Sequence, residues 1–98
     1  MAKYSRRLQV DVVDRNGIHP NNGCATFSVI NAGNTDCTIL TNVLLKPDEE
    51  FEGPNEHPEV ADYTLVDISF GSEITRVPAP GPGTPLDQRI LIVKTFIS

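Results

Sequence analysis

The residues best suited to chemistry in this chain are two histidines, two cysteines and a run of carboxylates. His19 stands among Asn, Gly and Pro, and His57 stands among acidic residues, so both are expected to be solvated. A histidine acts as a general base where a nucleophile and a carboxylate converge on it. The sequence has no Gly-x-Ser-x-Gly elbow, glycine-rich phosphate loop or His-Glu-x-x-His motif. We therefore expect a protein that is not an enzyme and binds no cofactor.

The two cysteines could form a disulfide, hold a metal or remain free thiols. If a hairpin places Asn31 opposite Cys37, Cys24 lies about 23 Å away along the partner strand, at about 3.3 Å per residue. A disulfide requires Cα atoms within about 7 Å. No Cys-x-x-Cys or His-x-x-x-His pair supplies the ligand spacing of a zinc site. We predict two reduced thiols, each buried separately.

The carboxylates concentrate in residues 48–62, which contain seven acidic side chains and no Lys or Arg. Gly53, Pro54 and Pro58 interrupt this segment and predict a loop over the surface. Its spacing does not match a calcium-binding EF-hand loop. Three interpretations remain: a solvated surface, a weak calcium contact, or docking to a basic partner. In the third, the candidate partner-binding residues are Glu49, Glu50 and Glu52.

Two further segments are candidates for partner binding. The first fifteen residues carry a local charge of +2, from four basic and two acidic side chains, and their candidate contacts are Arg6 and Arg7. These residues either protect a strand edge or pack head to tail against the acidic middle of another copy. In residues 78–85, half the positions lack an amide proton, which predicts an extended arm. The hypothesis is that this arm lies against a neighbouring subunit through Pro78, Pro80, Pro82 and Pro85.

Size and charge restrict the possible classes of protein. A chain of 98 residues is the size of one domain, here residues 1–98, and 39% hydrophobic content fits a globular fold. A net charge of −5 repels phosphate backbones and anionic lipids, so we expect neither nucleic acid nor membrane partners. No apolar run approaches the roughly 20 residues of a membrane span. The expectation is a soluble protein with no export signal and no small-molecule substrate.

The elements that must position these residues are strands. Apolar residues alternate with period two and are rich in Val, Ile, Thr and Phe, which favours β-structure. In residues 7–13, Leu8, Val10 and Val12 form one apolar face, before a loop at residues 14–23. The next strand spans residues 24–31, with Ala25, Phe27 and Val29 on one face. A hairpin turn at residues 31–36 is then predicted to lead into a strand that starts at Cys37.

The second half of the chain is predicted in the same way. Turns at residues 41–42 and 47–48 give a meander of short strands, with an unbroken strand over residues 37–45 as the alternative. Residues 63–70 and 73–77 form a hairpin about residues 71–72, with Val66 and Ile68 on one side. Residues 89–97 are apolar on both faces, which is typical of a central strand covered on both sides. Six or seven short strands predict an all-β antiparallel sandwich or small barrel.

Residues 27–51 read Phe-Ser-Val-Ile-Asn-Ala-Gly-Asn-Thr-Asp-Cys-Thr-Ile-Leu-Thr-Asn-Val-Leu-Leu-Lys-Pro-Asp-Glu-Glu-Phe. This string resembles small β proteins of tailed bacteriophage particles, in which an Asn-x-Gly turn, a Thr/Ile strand, a second turn and a Leu-x-Pro-Gly-Glu-x-Phe ending recur. The likeness covers about a quarter of the chain. It departs from that pattern at Asp48, where Gly is usual, and at residues 41–42, where Asn-Gly would be the firmer turn signal.

The resemblance implies a non-catalytic role in the virion, as a decoration or auxiliary capsid protein or as a fibre-attachment adaptor. The implied partners are capsid or other virion proteins and further copies of the chain, after synthesis in the host cytoplasm. The alternative is a free binding module or inhibitor that engages a basic partner through the acidic loop. Salt separates the two in part, because an acidic docking site should lose most of its binding at high ionic strength.

Overall fold

The computed structural model describes residues 6–53 and 61–97. These residues form eight β-strands and no helix, so the all-β prediction is confirmed, with eight strands in place of six or seven. The strands are β1 (Arg6–Val13), β2 (Gly17–Pro20), β3 (Thr26–Asn31), β4 (Thr35–Ile39), β5 (Val43–Leu45), β6 (Glu50–Glu52), β7 (Leu65–Ile74) and β8 (Ile90–Ile97). A helix long and apolar enough to cross a membrane is absent from this described part of the chain.

Within the described ranges, the strands form two antiparallel sheets of four. Sheet A has the order β1-β8-β3-β6, and sheet B has the order β2-β7-β4-β5. Side chains from both sheets bury one another in a single apolar cluster. In each sheet we call the face turned toward this cluster the inner face. The cluster consists of Val13, Cys24, Phe27, Val29, Cys37, Ile39, Leu45, Val66, Ile68, Ile90 and Ile92.

The predicted hairpin at residues 31–36 is wrong, because β3 belongs to sheet A and β4 to sheet B. The buried Asn31 side chain organises this crossing. Its Nδ2 donates to the carbonyl oxygens of Thr35 at 2.8 Å and Leu45 at 3.0 Å, while its Oδ1 accepts from Gly33 N at 3.1 Å. The turn signal in the sequence is therefore real, but it marks a corner between sheets.

The turn at residues 41–42 is confirmed, since β4 and β5 pair as a hairpin, and the alternative of an unbroken strand over residues 37–45 is wrong. The predicted meander is also wrong. After β5 the chain turns at Pro47 and Asp48, where Glu49 N donates to Lys46 O at 3.0 Å and Asp48 has a φ of 71°. The chain then returns to sheet A, where β6 pairs with β3.

Two loops of the prediction contain strands. Residues 14–23 include β2, which pairs with β7 and ends at Pro20, a residue with no amide proton to donate. The acidic segment of residues 48–62 includes β6, and its residues 54–60 lie outside the described residues. Both strands are short and lie at sheet edges, which explains why turn residues on either side obscured them.

The predicted hairpin about residues 71–72 is wrong as well, because β7 runs through them as one ten-residue strand. The pairing of β4 with β7 shifts between Thr35 and Cys37. Gly71 lies opposite this irregularity, where a Cβ would be 3.3 Å from Asp36 O. The glycine therefore accommodates a bulge, which a sequence pattern does not distinguish from a turn. The predicted faces of β7 hold, since Val66 and Ile68 are buried.

The last strand, β8, lies between β1 and β3 in sheet A, so its prediction as a central strand is confirmed. Ile90, Ile92 and Lys94 point to the inner face and are buried. Leu91 and Val93 point outward and are only half-buried. The sequence predicted that both faces of this strand are covered, but the described residues do not cover its outward face.

Candidate functional site

The outer face of sheet A is the most unusual surface of the molecule. Strand pairing aligns its side chains in rows that run from β1 across β8 and β3 to β6. One row is Val12, Leu91, Ile30 and Glu50; the next is Val10, Val93, Ser28 and Glu52; the third is Leu8, Thr95 and Thr26. The surface is therefore apolar at β1, mixed on β3, where Thr26 and Ser28 add hydroxyls beside Ile30, and acidic at β6.

We call the six apolar residues of this face the outer patch: Leu8, Val10, Val12, Ile30, Leu91 and Val93. Leu8, Val10 and Val12 are 66%, 50% and 64% exposed. The alternation of β1 is thus as the sequence indicates, but its apolar face points to solvent. An exposed apolar patch with a polar rim is a candidate interaction surface.

The reason for this orientation lies on the inner face, at Lys94. Its side chain is 3% exposed, with Nζ 3.1 Å from Asp11 Oδ2 and donating to Pro20 O at 2.9 Å. A buried ammonium group is tolerated only where it is paired and hydrogen-bonded. Asp11 must therefore point inward, and the period of two sends Val10 and Val12 outward.

A shallow pocket of about 260 Å³ opens on the acidic side of the same face. Its walls include the outward side chains of Thr26, Ser28, Glu50, Glu52 and Val93. It offers carboxylates and hydroxyls beside an apolar floor, which suits a cationic side chain with an apolar stem. In the described ranges, no group of three or more His, Cys, Asp or Glu is placed to hold a metal ion.

Of the predicted acidic contacts, Glu50 and Glu52 lie on this face, whereas Glu49 serves the fold. Glu49 Oε1 accepts a hydrogen bond from Lys46 N at 2.7 Å and so closes the turn before β6. Asp62 also has a local role, since its Oδ1 accepts from Asn21 Nδ2 at 3.1 Å and Thr64 N at 2.8 Å. The described carboxylates of the predicted acidic loop therefore differ in role. Glu50 and Glu52 are exposed on the sheet, whereas Glu49 and Asp62 accept hydrogen bonds within the fold.

The basic contacts lie at the opposite edge of sheet A. Arg6 pairs with Ile97 and Arg7 with Phe96 at the far end of the β1–β8 pair. The guanidinium carbon of Arg7 lies 4.9 Å from the centre of the Phe96 ring, a cation–π contact. The structure therefore does not bring the arginines together with Glu50 and Glu52.

The proline contacts belong to a loop between β7 and β8. Pro78, Pro82 and Pro85 are exposed and Pro80 is half-buried. Residues 78–85 form no strand, as predicted. Both ends of the loop are fastened to Asn34, which donates from Nδ2 to Pro85 O at 3.0 Å and accepts from Thr75 N and Asp87 N at 2.9 and 2.7 Å.

The two cysteines, which could act as nucleophiles, belong to the buried core. Cys24 and Cys37 are free and fully buried, as predicted, although the hairpin assumed in that argument does not exist. Burial raises the pKa of the Cys37 thiol to about 11, and burial followed by the nearby Asp62 raises the pKa of Cys24. Both groups are thus thiols and not nucleophilic thiolates at neutral pH.

One of the two histidines, His19, lies in the part of the chain that the structure describes. His19, predicted to be solvated, is half-buried on β2, and its Nε2 is buried without a hydrogen-bond partner among the described residues. His57 lies outside the described residues. The sequence reasoning missed both the outer patch and the Asp11–Lys94 pair. A lysine at an inward position of an otherwise apolar strand was the signal that could have revealed the pair.

No family model matches this chain, and neither the curated proteins nor the solved structures compared with it gave a match.

Proposed function

We propose that this protein is a non-catalytic structural component of a larger protein assembly, which it joins through the outer face of sheet A. The resemblance of residues 27–51 implies that the assembly is a phage particle, with the chain as a decoration, auxiliary capsid or fibre-attachment protein. The scaffold proposed for this role is a β-sandwich, which is supported by two four-stranded sheets that each have their own pair of edge strands among the described residues.

The observation that carries the proposal is the outer patch. Leu91 and Val93 lie between inward residues of β8 that are buried, namely Ile90, Ile92 and Lys94, yet their own face has no layer of described residues above it. Adjacent Val10 and Val12 extend this apolar surface to the edge of the sheet. Covering the patch with another protein removes apolar area from water, and each Å² buried lowers the free energy by about 25 cal/mol.

The chemistry of the partner follows from the gradient across the face. An apolar ridge would lie over β1 and β8, and a Lys or Arg beside that ridge would reach the pocket between Glu50 and Glu52. This pocket also favours the second candidate function, a free module or inhibitor that binds a basic partner through its carboxylates. The two functions use neighbouring parts of one face and differ in which part dominates.

The test is co-sedimentation. Particles purified from the cells that make this protein are probed with an antibody against the purified chain, and the chain is expected in the particle fraction. Recombinant chain is then added to particles stripped of it, comparing Leu91→Lys with the matched control Leu44→Lys. Leu44 is an exposed apolar residue on sheet B, 53% accessible, so its change leaves the outer patch intact.

Wild type and Leu44→Lys should rebind, and Leu91→Lys should not. A chain that never sediments with particles, or a Leu91→Lys variant that rebinds as well as wild type, contradicts the proposal. Rebinding that survives 1 M salt, where the Debye length is about 3 Å, favours the apolar contact. Binding lost at that salt concentration favours the acidic module.

A further inference from the structure

The edge of sheet A formed by β1 differs from the other three sheet edges. β2, β5 and β6 have four, three and three residues, β2 ends in proline, and β6 is Glu-Phe-Glu. Short strands, prolines and charges are the devices by which proteins prevent edge-to-edge pairing. β1 has eight residues and no proline, and none of the described residues pairs with its free side. Its charged residues, Arg6, Arg7 and Asp11, are of both signs, so they repel a second strand only in a register that brings like charges together. This edge is therefore open to another strand.

We propose that β1 pairs antiparallel with β1 of a second copy of this chain, with Gln9 on the two-fold axis, so that sheet A continues across both molecules. A two-fold axis places the same strand on both sides of the contact. The proposal concerns the sheet edge and does not depend on the phage assignment or on the outer face binding another protein.

Register follows from the faces of β1. Val10 points outward, whereas Asp11 and Val13 point inward, so a continuous sheet must pair even residues with even and odd with odd. Two registers then overlap seven residues of each strand: one centred on Gln9, which pairs residues 6–12, and one centred on Val10, which pairs residues 7–13.

Charge selects between these two registers. With Gln9 at the centre, Arg7 faces Asp11 of the second copy, and symmetry makes this pair twice. With Val10 at the centre, Arg7 faces Val13 and Asp11 faces Gln9. Opposite charges directly across antiparallel strands are favourable, and the Asp11 side chain retains 36% exposure beside Lys94. The register centred on Gln9 is therefore the complementary one.

The outward side chains agree with this choice. In the same register Leu8 of each copy faces Val10 of the other, so the two most central exposed apolar residues of β1 cover each other across the junction. The outer patches of the two copies become continuous. A dimer would thus present one continuous apolar surface, built from both copies, to a larger assembly.

The first test is the mass of the purified chain by sedimentation equilibrium over a range of concentrations. A monomer–dimer equilibrium is expected. Arg7→Glu places like charges opposite each other twice and should raise the dissociation constant about tenfold or more. Arg15→Glu makes the same charge change on an exposed side chain beyond β1 and should leave the constant unchanged.

The second test is cross-linking at the axis. Facing Cα atoms in an antiparallel pair are about 4.5–5.5 Å apart, within the range of a disulfide. Gln9→Cys should therefore give covalent dimers on treatment with diamide, while Val10→Cys should give few. The native cysteines are fully buried and do not compete. Circular dichroism and the cooperativity of urea unfolding establish that each variant is folded.

A chain that remains monomeric up to millimolar concentration overturns the proposal. So does a dimer that Arg7→Glu does not weaken, because the two Arg7–Asp11 pairs of the proposed register are then absent. Cross-linking at residue 10 and not at residue 9 overturns the register. All these measurements use the purified chain alone, so a failure here is distinct from a failure to bind particles.

Discussion

At the scale of single residues, polar side chains inside the fold determine which surfaces face outward. Lys94 is an ammonium group in the inner layer, and its two oxygen partners, Asp11 and Pro20, belong to different sheets. This contact joins β1 and β8 of sheet A to β2 of sheet B. It also commits β1 to the orientation that exposes Val10 and Val12.

The two partners of this ion pair should respond unequally to substitution. Asp11→Asn leaves a buried ammonium without its counter-charge and should lower the free energy of unfolding by about 3 kcal/mol. Lys94→Met leaves a carboxylate that is 36% exposed and can be hydrated, so its effect should stay within about 1 kcal/mol. Urea unfolding measures both. Equal losses would show that the burial of Lys94 does not govern the pair.

Two carboxylates should make the fold sensitive to acid. The hydrogen bond from Gln9, supported by Lys94, holds the pKa of Asp11 below its ordinary value of 3.8. Burial opposes a lower pKa at Asp62, but hydrogen bonds from Thr64 and Asn21 outweigh it and lower that pKa too. An acid with a lowered folded pKa stabilises the fold above its unfolded value and loses this contribution as pH falls through the folded one.

The contribution of these two groups to the free energy of unfolding should therefore not change with pH around neutrality. It should decline below about pH 3.8. Asp62→Asn should be less stable than wild type at pH 6, and the difference should shrink as the pH falls through the lowered pKa. Thermal unfolding at a series of pH values measures this. A difference that stays constant down to pH 2 would contradict the assignment.

At the scale of elements, two of the connections between the sheets lie on either side of the β4–β5 hairpin, and we call them the first and second crossings. Residues 31–35 carry the chain from sheet A to sheet B, and residues 45–50 carry it back. Arg76 bonds to both crossings, through Nη2 to Gly33 O and through Nη1 to Asp48 Oδ2. The corners are thus joined to each other as well as to the strands they connect.

Gly33 should be the least replaceable residue of the first crossing. A Cβ there would overlap the carbonyl oxygen of Asp87 and lie 2.8 Å from Arg89 N, and both obstacles are backbone. Gly33→Ala should therefore cost about 2 kcal/mol or more in urea unfolding. Gly81→Ala is the matched control, since nothing lies within 4 Å of that site, and should change stability by less than about 0.5 kcal/mol.

Asp48, in the second crossing, has an unfavourable backbone conformation and a favourable ion pair with Arg76. Its φ of 71° favours glycine, and Asp48→Gly should gain about 1 kcal/mol there while losing an exposed ion pair worth less than about 1 kcal/mol. In an Arg76→Gln background the ion pair is already absent, so the gain from Asp48→Gly should be larger than in wild type. The absence of any gain in the Arg76→Gln background would show that the backbone at Asp48 is not strained.

The sequence predicted local geometry better than it predicted connections. Period two correctly placed Phe27 with Val29, and Val66 with Ile68, on one face of their strands, because alternation is a local property of a strand. The turn at Asn31 was also located correctly. Whether such a turn joins neighbours in one sheet or crosses to the other depends on contacts such as Asn31 with Leu45, which only the folded chain brings together.

The candidate site was predictable only in part. Glu50 and Glu52 were named correctly as surface residues, but the outer patch was not, because alternation in β1 does not state which face is covered. That choice depends on Lys94, which pairs with Asp11 only once β1 and β8 are aligned. Gly71 was misinterpreted for the same reason, since a bulge depends on the partner strand.

At the scale of the whole molecule, the described chain is elongated. Its principal extents are 58, 23 and 19 Å, and its radius of gyration is 15.1 Å. A compact chain of this length has a radius of about 13 Å. Part of the length comes from the β1–β8 pair, because Phe96 and Ile97 extend beyond β3 and pair with β1 alone. An elongated body has more surface for contacts than a compact one.

The proline loop should be separable from this body. Because Thr75, Pro85 and Asp87 all bond to Asn34, the two ends of the loop lie together, and residues 79–84 can be removed without pulling the strands apart. Deleting these six residues should change the free energy of unfolding by less than about 1 kcal/mol.

If the loop contacts a neighbouring subunit, the same deletion should lower the occupancy of the chain on particles, as measured by quantitative mass spectrometry. Unchanged occupancy would remove the loop from the mechanism of assembly. A large loss of stability would show instead that the loop belongs to the folding unit.

The pairing of Arg6 with Ile97 also determines how the fold resists a pulling force. Tension applied between these two residues would peel the first strand from the last, opening one rung of hydrogen bonds at a time, starting at the shared tip. Such unzipping yields at lower force than sliding strands past each other. The chain therefore enters β1 and leaves β8 side by side, at the same tip of sheet A.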